Sequence, residues 1–555
     1  MVDGIELVDK EVDRSILKVP FHERINVTKS EKEHLLKDYT LFVMNTIATN
    51  FPEAFPDMKP VEIIHQYSEE FSREVKIYTG PLIFETESTL SGISEVITKL
   101  IDVVCPVLTD SSGKQSPAFP TTFSGDNKTE KSSRSAQLAL CDNGSMRDRL
   151  QFIEGRHELL HFLFMLSDVV IDCFGDADNM EEAVSLSRLI SMLNPKLLTR
   201  KGKDDYYQFH DLFHDIFVAL LSQFVCNYLD CDNLKQNVTP TNIQEMNSPK
   251  KKQSMLQDLF RNIIRNSHVD YEDCLNKTLD SEPLPKFYPH QNYVRSKYKN
   301  QPALVKTKNS KSVTVKIKFV PDQEVDMMTN LSKPSKPDAK NDYMCSLLSF
   351  IGQLLFLVDC QKNGNALNTF LIQKKLTKIV FSTGHKNYSS TLINFKRIVL
   401  GHWSPQFSHR YMWNISAGRA GKGEKMARDQ REEHLNRYLK DSFKSVGVNL
   451  DEKNATRINN SCDLSMKIER NIVKFHKLDL SGIGHTNRDR SKQIEALADL
   501  FKREKVAHNI PGRSFKGPIV SKNLDEQFDE ANYRVWHYRR EKEMHKFSEF
   551  CRTHK

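Results

Sequence analysis

Three apolar stretches decide what this chain can become. They are LLHFLFMLSDVVI (159–171), QFHDLFHDIFVALLSQFVCNYL (208–229) and SLLSFIGQLLFLVDC (346–360). Each is far longer than an ordinary strand of about 5–6 residues, and a helix that is apolar on a broad side must be covered by other elements. None reaches 18 uncharged apolar residues, so all three read as buried core helices and not as membrane spans. The predicted fold is mainly α with a small α/β part. At 555 residues the chain exceeds one ordinary core and suits two to four domains. The 80 Lys and Arg against 72 Asp and Glu give a charge of +8, which tolerates a polyanion without demanding one. The 10 cysteines are scattered with no CxxC pair, which argues for reduced thiols in an intracellular protein. The acidic opening MVDGIELVDKEVDRS has no apolar core and does not read as a signal peptide.

Along the chain, residues 31–50 show helical spacing and FPEAFPDMKP breaks it. TLSGISEVITKLIDVVCPVL is a second helix, and residues 110–119 are a polar loop. A short strand ends at Phe123, a turn follows at Gly125-Asp126, and Thr129 or Ser132 caps the next helix. Residues 147–175 and 180–193 read as a long helix pair, and 231–255 as a loop. Between Lys286 and Val320 there are nine basic residues and no acid, and SVTVKIKFV within it alternates like a half-exposed strand. Residues 321–341 read as a linker. The expected organisation is an N-terminal helical region (1–110), a strand-turn-helix (111–144), a helical insertion with the basic segment (145–340), a C-terminal part (341–480) and a basic tail (481–555).

Several motifs carry candidate chemistry. SAGRAGKGEK looks like a phosphate loop, but Gly421-Lys422 is followed by Gly423 and Glu424 and not by Ser or Thr. It reads instead as a basic loop that reaches phosphates through Arg419, Lys422 and Lys425. In the helix after it, Leu435 and Leu439 form an apolar side, and Asp429, Glu433, Asn436, Arg437 and Lys440 share the polar one. A carboxylate there suits a divalent ion; the plainer reading is a solvated face with Glu433–Arg437 pairing. Asp126, just past a strand, is either a metal carboxylate or ordinary turn chemistry. HELLH matches the zinc-protease pattern through His157, Glu158 and His161 on a presumed helix, without an evident third ligand. His210 and His214 form a second pair at i,i+4 spacing, and Trp403 and Trp413 lie among basic residues where they either pack or stack on bases.

The segments HQYSEEFSREVK (65–76), TTFSGDNKTEKSSRSA (121–136), HKNYSSTLINF (385–395) and MWNISAGRAGKGEKMARDQREEHLNRYLKDSFKSVGVNL (412–450) together resemble one invertebrate, transposon-associated family, catalogued as a domain of unknown function, over about residues 15–480. The chain keeps Asp126 and Thr129 of the family's Gly-Asp-Gln-Leu-Thr pattern and the Glu433-His434 of its late helix, but lacks the proline and asparagines of its glycine-rich segment. A histidine near His157 is also usual in the family, without the full zinc pattern. The resemblance implies a degenerate ribonuclease-H-like core split by a large helical insertion. It assigns Asp126 and Glu433 as catalytic, metal-holding acids for Mg²⁺ or Mn²⁺ in a two-metal scheme. A further upstream Gly-Asp-Asn-x-Asp stretch of the family is expected to be missing, and with it the first metal acid.

The resulting expectation is a transposon-derived protein without catalytic activity that binds DNA nonspecifically in an intracellular, nuclear setting, with no membrane partner. Its expected nucleic-acid contacts are Arg419, Lys422, Arg437 and Lys440, with Lys306, Lys308, Lys316 and Lys318 from the basic segment. The alternatives are an active metal-dependent nuclease or transposase, a helical protein-interaction scaffold, and a zinc hydrolase using His157 and His161.

Overall fold

The computed structural model describes residues 27–73, 80–113, 115–117, 121–125, 127–176, 180–267, 338–397, 399–400, 408–409, 412–414, 416–418, 423, 425–476, 489–518, 533 and 535–540, with three short strands between 292 and 314. Met1–Val269 with Asp338–Lys555 form one compact unit and Asp270–Pro337 a second. The fold is mainly α with a small α/β part.

The large unit begins with α1 (Lys29–Asn50) and α2 (Leu90–Val104), with a one-turn helix at Ser68–Phe71 between them. A hairpin, β1 (Val107–Thr109) and β2 (Gln115–Pro117), follows. Then come β3 (Thr121–Gly125), α3 (Asn127–Ala139), β4 (Ile153–His157) and α4 (Leu159–Phe174). Helices α5 (Leu186–Leu193), α6 (Gly202–Leu229) and α7 (Pro249–Ser267) lead to the second unit. That unit contains an antiparallel sheet of β5 (Asn292–Tyr293), β6 (Leu304–Lys306) and β7 (Ser312–Thr314). The large unit resumes with α8 (Ala339–Asn363), α9 (Ala366–Ser382) and α10 (Lys386–Arg397). The hairpin β8 (Ser416–Gly418) and β9 (Lys425–Ala427) runs straight into α11 (Arg428–Val446), followed by α12 (Glu452–Phe475) and α13 (Ser491–Arg503).

The apolar stretches form the centre. In α6, Ile216 to Leu221 are six consecutive residues without exposed surface, which requires neighbours on every side. Those neighbours are α4, α8 and α13. Both α6 and α8 are apolar and long enough to cross a membrane by composition, yet 72% and 89% of their apolar windows are buried inside the protein. Each large aliphatic or aromatic side chain so buried contributes about 1.5–3 kcal/mol. Helix α1 starts with a capping box: Thr28 Oγ1 accepts from Glu31 N, and Glu31 Oε2 accepts from Thr28 N at 2.7 Å. The same carboxylate holds the buried Lys374 of α9 at 2.9 Å. Helix α1 also sends Tyr39 against α8 at Gly352, where an added Cβ would lie 2.0 Å from the tyrosine hydroxyl.

The α/β part is a β3–α3–β4–α4 unit. Strands β3 and β4 are parallel, with Gly125 opposite His157, and α3 is the crossover. Ile93, Ile97 and Ile101 of α2 pack with Ala136 of α3 and Phe152 to cover it. Residues 147–175 are thus not one helix: QFIEGRH contains β4, and only the stretch from Leu159 is helical. A segment this short does not distinguish a buried strand from a buried helix by period, and here pairing with β3 decided. Likewise 249–255, read as loop, begins α7. The predicted strand from Ser312 is described only over Ser312–Thr314.

The chain's last described parts are bound into the same core. Arg513 clasps the N-cap of α8, Asp338, with Nε to Oδ1 at 2.9 Å and Nη2 to Oδ2 at 2.7 Å. Burial alone would raise the Asp338 carboxyl, but Arg513 and the backbone N–H groups of Ile510 and Asn341 hold it below its usual value. Tyr533 and His537 are fully buried, with Tyr533 against Phe381 of α9.

Candidate functional site

In parallel α/β units, ligands bind outside the carboxyl ends of the strands, where the following helices begin. Here β3 ends at Gly125 and β4 at His157, and the Gly125 carbonyl accepts from Glu158 N at 3.0 Å. Asp126 lies outside the described residues; its neighbours Gly125 and Asn127 end β3 and begin α3.

Glu158 is the N-cap of α4, and an N-cap side chain ordinarily accepts from the first-turn amides. It does not do so here. Asp429, at the start of α11, has taken that place from 268 positions away. Its carboxylate accepts from Leu160 N at 3.1 Å, His161 N at 3.2 Å and His161 Nδ1 at 3.0 Å. The partial positive charge of the α4 N-terminus favours a carboxylate there. Released from capping, Glu158 is 2% exposed, and neither of its oxygens accepts an aligned hydrogen bond among the described residues. Burial pushes its carboxyl up; Arg428 and Arg156 oppose this, Asp429 adds to it, and the nearby Ser124 hydroxyl favours the charged form without closing an aligned bond.

Around Glu158 stand both charge signs. Arg156 is 1% exposed and donates through Nη1 to the Asn414 carbonyl at 3.0 Å, the same oxygen that Arg428 approaches. Glu432, one turn along α11, has its carboxyl pushed up to about 7, first by crowding and then by Glu158, with Arg428 opposing. As a whole residue Glu432 is exposed. The arrangement is two proton-hungry carboxylates beside two guanidinium groups, which suits a divalent cation bound next to a phosphate.

The sequence-based candidates fare unevenly. Glu433 is exposed on α11, and Arg437 and Lys440 are exposed on the same helix. Lys306 stands in β6, while Lys308, Lys316, Lys318, Arg419 and Lys422 lie outside the described residues. Lys425 is no surface phosphate contact: it is buried, and its ammonium donates to the Arg73 carbonyl. Asp429 is buried and not part of the polar face of its helix.

HELLH does not form the helical zinc pattern, because His157 closes β4 and only His161 is on α4. His157 packs edge-on against Phe395 at 5.3 Å. Burial pushes it down to about 3, with Arg156 and Arg134 adding, so it is a neutral core histidine. His161 is engaged by Asp429. Among the described residues no group of three or more His, Cys, Asp or Glu has metal-holding geometry. His210 and His214 face Asp211 and Asp215 on α6, with Arg490 bridging to both acids. Trp413 is buried and stacks on His65 at 5.2 Å, which settles it as packing.

Sequence reasoning missed Glu158 as a buried orphan acid, Asp429 as a remote cap, and Glu432. The one available signal was the Glu432-Glu433 pair: on a helix they point about 100° apart, and the choice between them depends on which side α4 covers.

A family model described as a family of unknown function (DUF6589) matches residues 18–485. No curated protein and no solved structure matches the chain.

Proposed function

The chain belongs to the DUF6589 family of unknown function, and on that premise we propose that it is a transposon-derived protein that binds the DNA backbone through a cation held at the strand-end cluster, without cutting it. The observation that carries this reading is Glu158: a buried carboxylate with no aligned hydrogen bond among the described residues, at the carboxyl end of a parallel strand. Such a group is costly unless it is protonated or neutralised. Glu158 and Glu432 fit Mg²⁺ or Mn²⁺ in the manner of ions held by one or two carboxylates plus substrate phosphates. When bound, the ion supplies charge neutralisation at a phosphate oxygen. Arg156 and Arg428 orient that phosphate, and Asp429 fixes α4 so that Glu158 stays aimed away from the helix amides. Asp429 is spent on that positioning task, which favours binding over a two-metal cleavage centre.

A second reading, an active nuclease, is favoured by the place of Glu158 itself, since it supplies an acid at the end of the second parallel strand. One experiment separates the two. Purified protein is titrated with Mn²⁺ and with labelled duplex DNA, with and without metal, and the DNA is then run on a denaturing gel. Metal-dependent DNA affinity that Glu158→Gln abolishes, with intact DNA, supports the binding reading. Product that depends on Glu158 establishes the nuclease; no metal effect on affinity refutes the binding reading, and no product refutes the nuclease. The basic segment 286–320 is the expected second contact; Lys306, Lys308, Lys316 and Lys318 all changed to Ser should lower the salt dependence, by roughly 0.9 in log–log slope per lost phosphate contact. With DNA as its partner, the setting proposed for the protein is the nucleus.

A further inference from the structure

The end of α6 brings two thiols together. Asp230, just past its last turn, is left-handed (φ 52°, ψ 49°), and Cys231 N donates to the Cys226 carbonyl at 2.9 Å. That six-to-one bond is the mark of a Schellman turn, in which the side chains of the two bonded residues commonly meet. Here both are cysteines, and their sulfurs lie close enough for the Cys226 thiol to donate to that of Cys231. Neither is bridged in this structure. Cys226 is 5% exposed and Cys231 is half-buried, so solvent reaches the pair from the Cys231 side. The same turn is a joint. Asn227 Nδ2 donates to the Ala507 carbonyl at 3.0 Å, and Lys502 of α13 donates to the Asp232 carbonyl at 3.0 Å and to its carboxylate at 2.9 Å.

The geometry points to Cys226 and Cys231 as a site of reversible disulfide formation, by exchange with a small-molecule disulfide such as glutathione disulfide, that locks the turn to which α13 is tied. A disulfide spans Cα atoms about 4.4–6.8 Å apart, and a direct backbone bond between the two residues keeps them within such reach. The Cys231 thiolate attacks one sulfur of the small disulfide, forming a mixed disulfide and releasing one glutathione thiolate. Cys226 then gives its proton to solvent and attacks the Cys231 sulfur, closing the internal bond and releasing the second glutathione. Two electrons pass from the cysteine pair to the reagent, which leaves as two thiols. Burial raises the Cys231 thiol; the Cys226 S–H opposes this, Asp232 and Asp230 add to it, and the Lys502 ammonium opposes it. At Cys226 burial acts in the same direction, and Cys231 itself adds to it. Cys231 is therefore the attacking group, and the rate should rise about tenfold from pH 7 to pH 8 with its thiolate fraction.

The tryptic peptide 204–235 holds both cysteines and no others, so mass spectrometry without reductant reads the outcome. After the folded full chain is incubated with glutathione disulfide, this peptide should become two hydrogens lighter, and excess reduced glutathione should restore it. Cys226→Ala should stop at the mixed disulfide, one glutathione heavier. Cys231→Ser should react at least about tenfold more slowly, because its remaining thiol is buried. Amide hydrogen exchange at the last turn of α6 and at 502–507 should slow at least about threefold in the bridged chain. A wild-type peptide that stays unmodified at pH 8, or that keeps glutathione without closing the bridge, overturns the proposal whether or not either variant folds. So does a bridge that forms only in denaturant. Unchanged exchange in the bridged chain overturns the locking of the joint.

Discussion

Asp429→Ala isolates a contact that ties the late helix to the α/β part. The substitution strips the acceptor from the N–H groups of Leu160 and His161 and from His161 Nδ1. Hydrogen bonds to a charged group contribute about 1.5–3 kcal/mol each, and loss of a helix cap costs about 0.5–2 kcal/mol. These overlap, because Glu158 stands at the N-cap and can swing back onto the vacated amides. A net local loss of about 3 kcal/mol is expected, equivalent to about 100-fold faster opening of the first turn of α4. Asp429→Asn keeps one carbonyl acceptor but loses the charge, and about tenfold is expected. Amide hydrogen exchange on peptides covering 159–165 reads the effect directly, and peptides from α9 serve as the control for global unfolding. If exchange at Leu160 and His161 rises less than about threefold in Asp429→Ala, the amides are protected by something else and the remote cap is not what holds α4. If α9 accelerates equally, the loss is global and the positioning role is refuted.

Three further outcomes follow from the structure. Glu158→Gln should stabilise the protein at pH 8 and do little at pH 4: burial raises the folded carboxyl above its unfolded value of about 4.3, so the folded state holds the extra proton in that window and stability falls as pH rises through it. Thermal midpoints at the two pH values check this, and an equal shift at both refutes it. Gly352→Ala should lower stability by about 1–3 kcal/mol, since its Cβ would meet the Tyr39 hydroxyl at 2.0 Å, and Tyr39→Phe in the same chain should restore part of the loss by thermal melt. Arg513→Ala should cost about 3–5 kcal/mol by leaving Asp338, 2% exposed, without its bidentate partner; a midpoint shift no larger than that of a surface alanine sinks the claim.

The Arg513 contact also shows that the fold does not stop where the family match does. Helix α13, Arg513 and Tyr533 all lie beyond residue 485 and pack into the core of the matched part. The basic, aromatic ending looked like a tail because its charges are dense, yet Tyr533 and His537 have no exposed surface.

The sequence by itself determined the helical character and its centre. Ile216 to Leu221 are apolar on every side and Leu347 to Val358 on a broad one, and a helix with such a surface has to be covered by other elements. It also placed the strand before Asp126, because a β-branched and aromatic run followed by Gly-Asp is strong local chemistry. What it left open were the matters settled by partners far away in the chain. IEGRH is a strand only because β3 lies beside it, and that one pairing takes His157 off the helix and dissolves the zinc pattern. Asp429 looked like any acid in the first turn of a polar helix; its burial depends on the free amides of α4, which no local window contains. Glu158 in turn has no aligned hydrogen bond among the described residues, and Asp429 holds the amides from which an N-cap side chain ordinarily accepts. Local propensity is written in adjacent residues, whereas the state of a buried charge is fixed by the surfaces that meet around it.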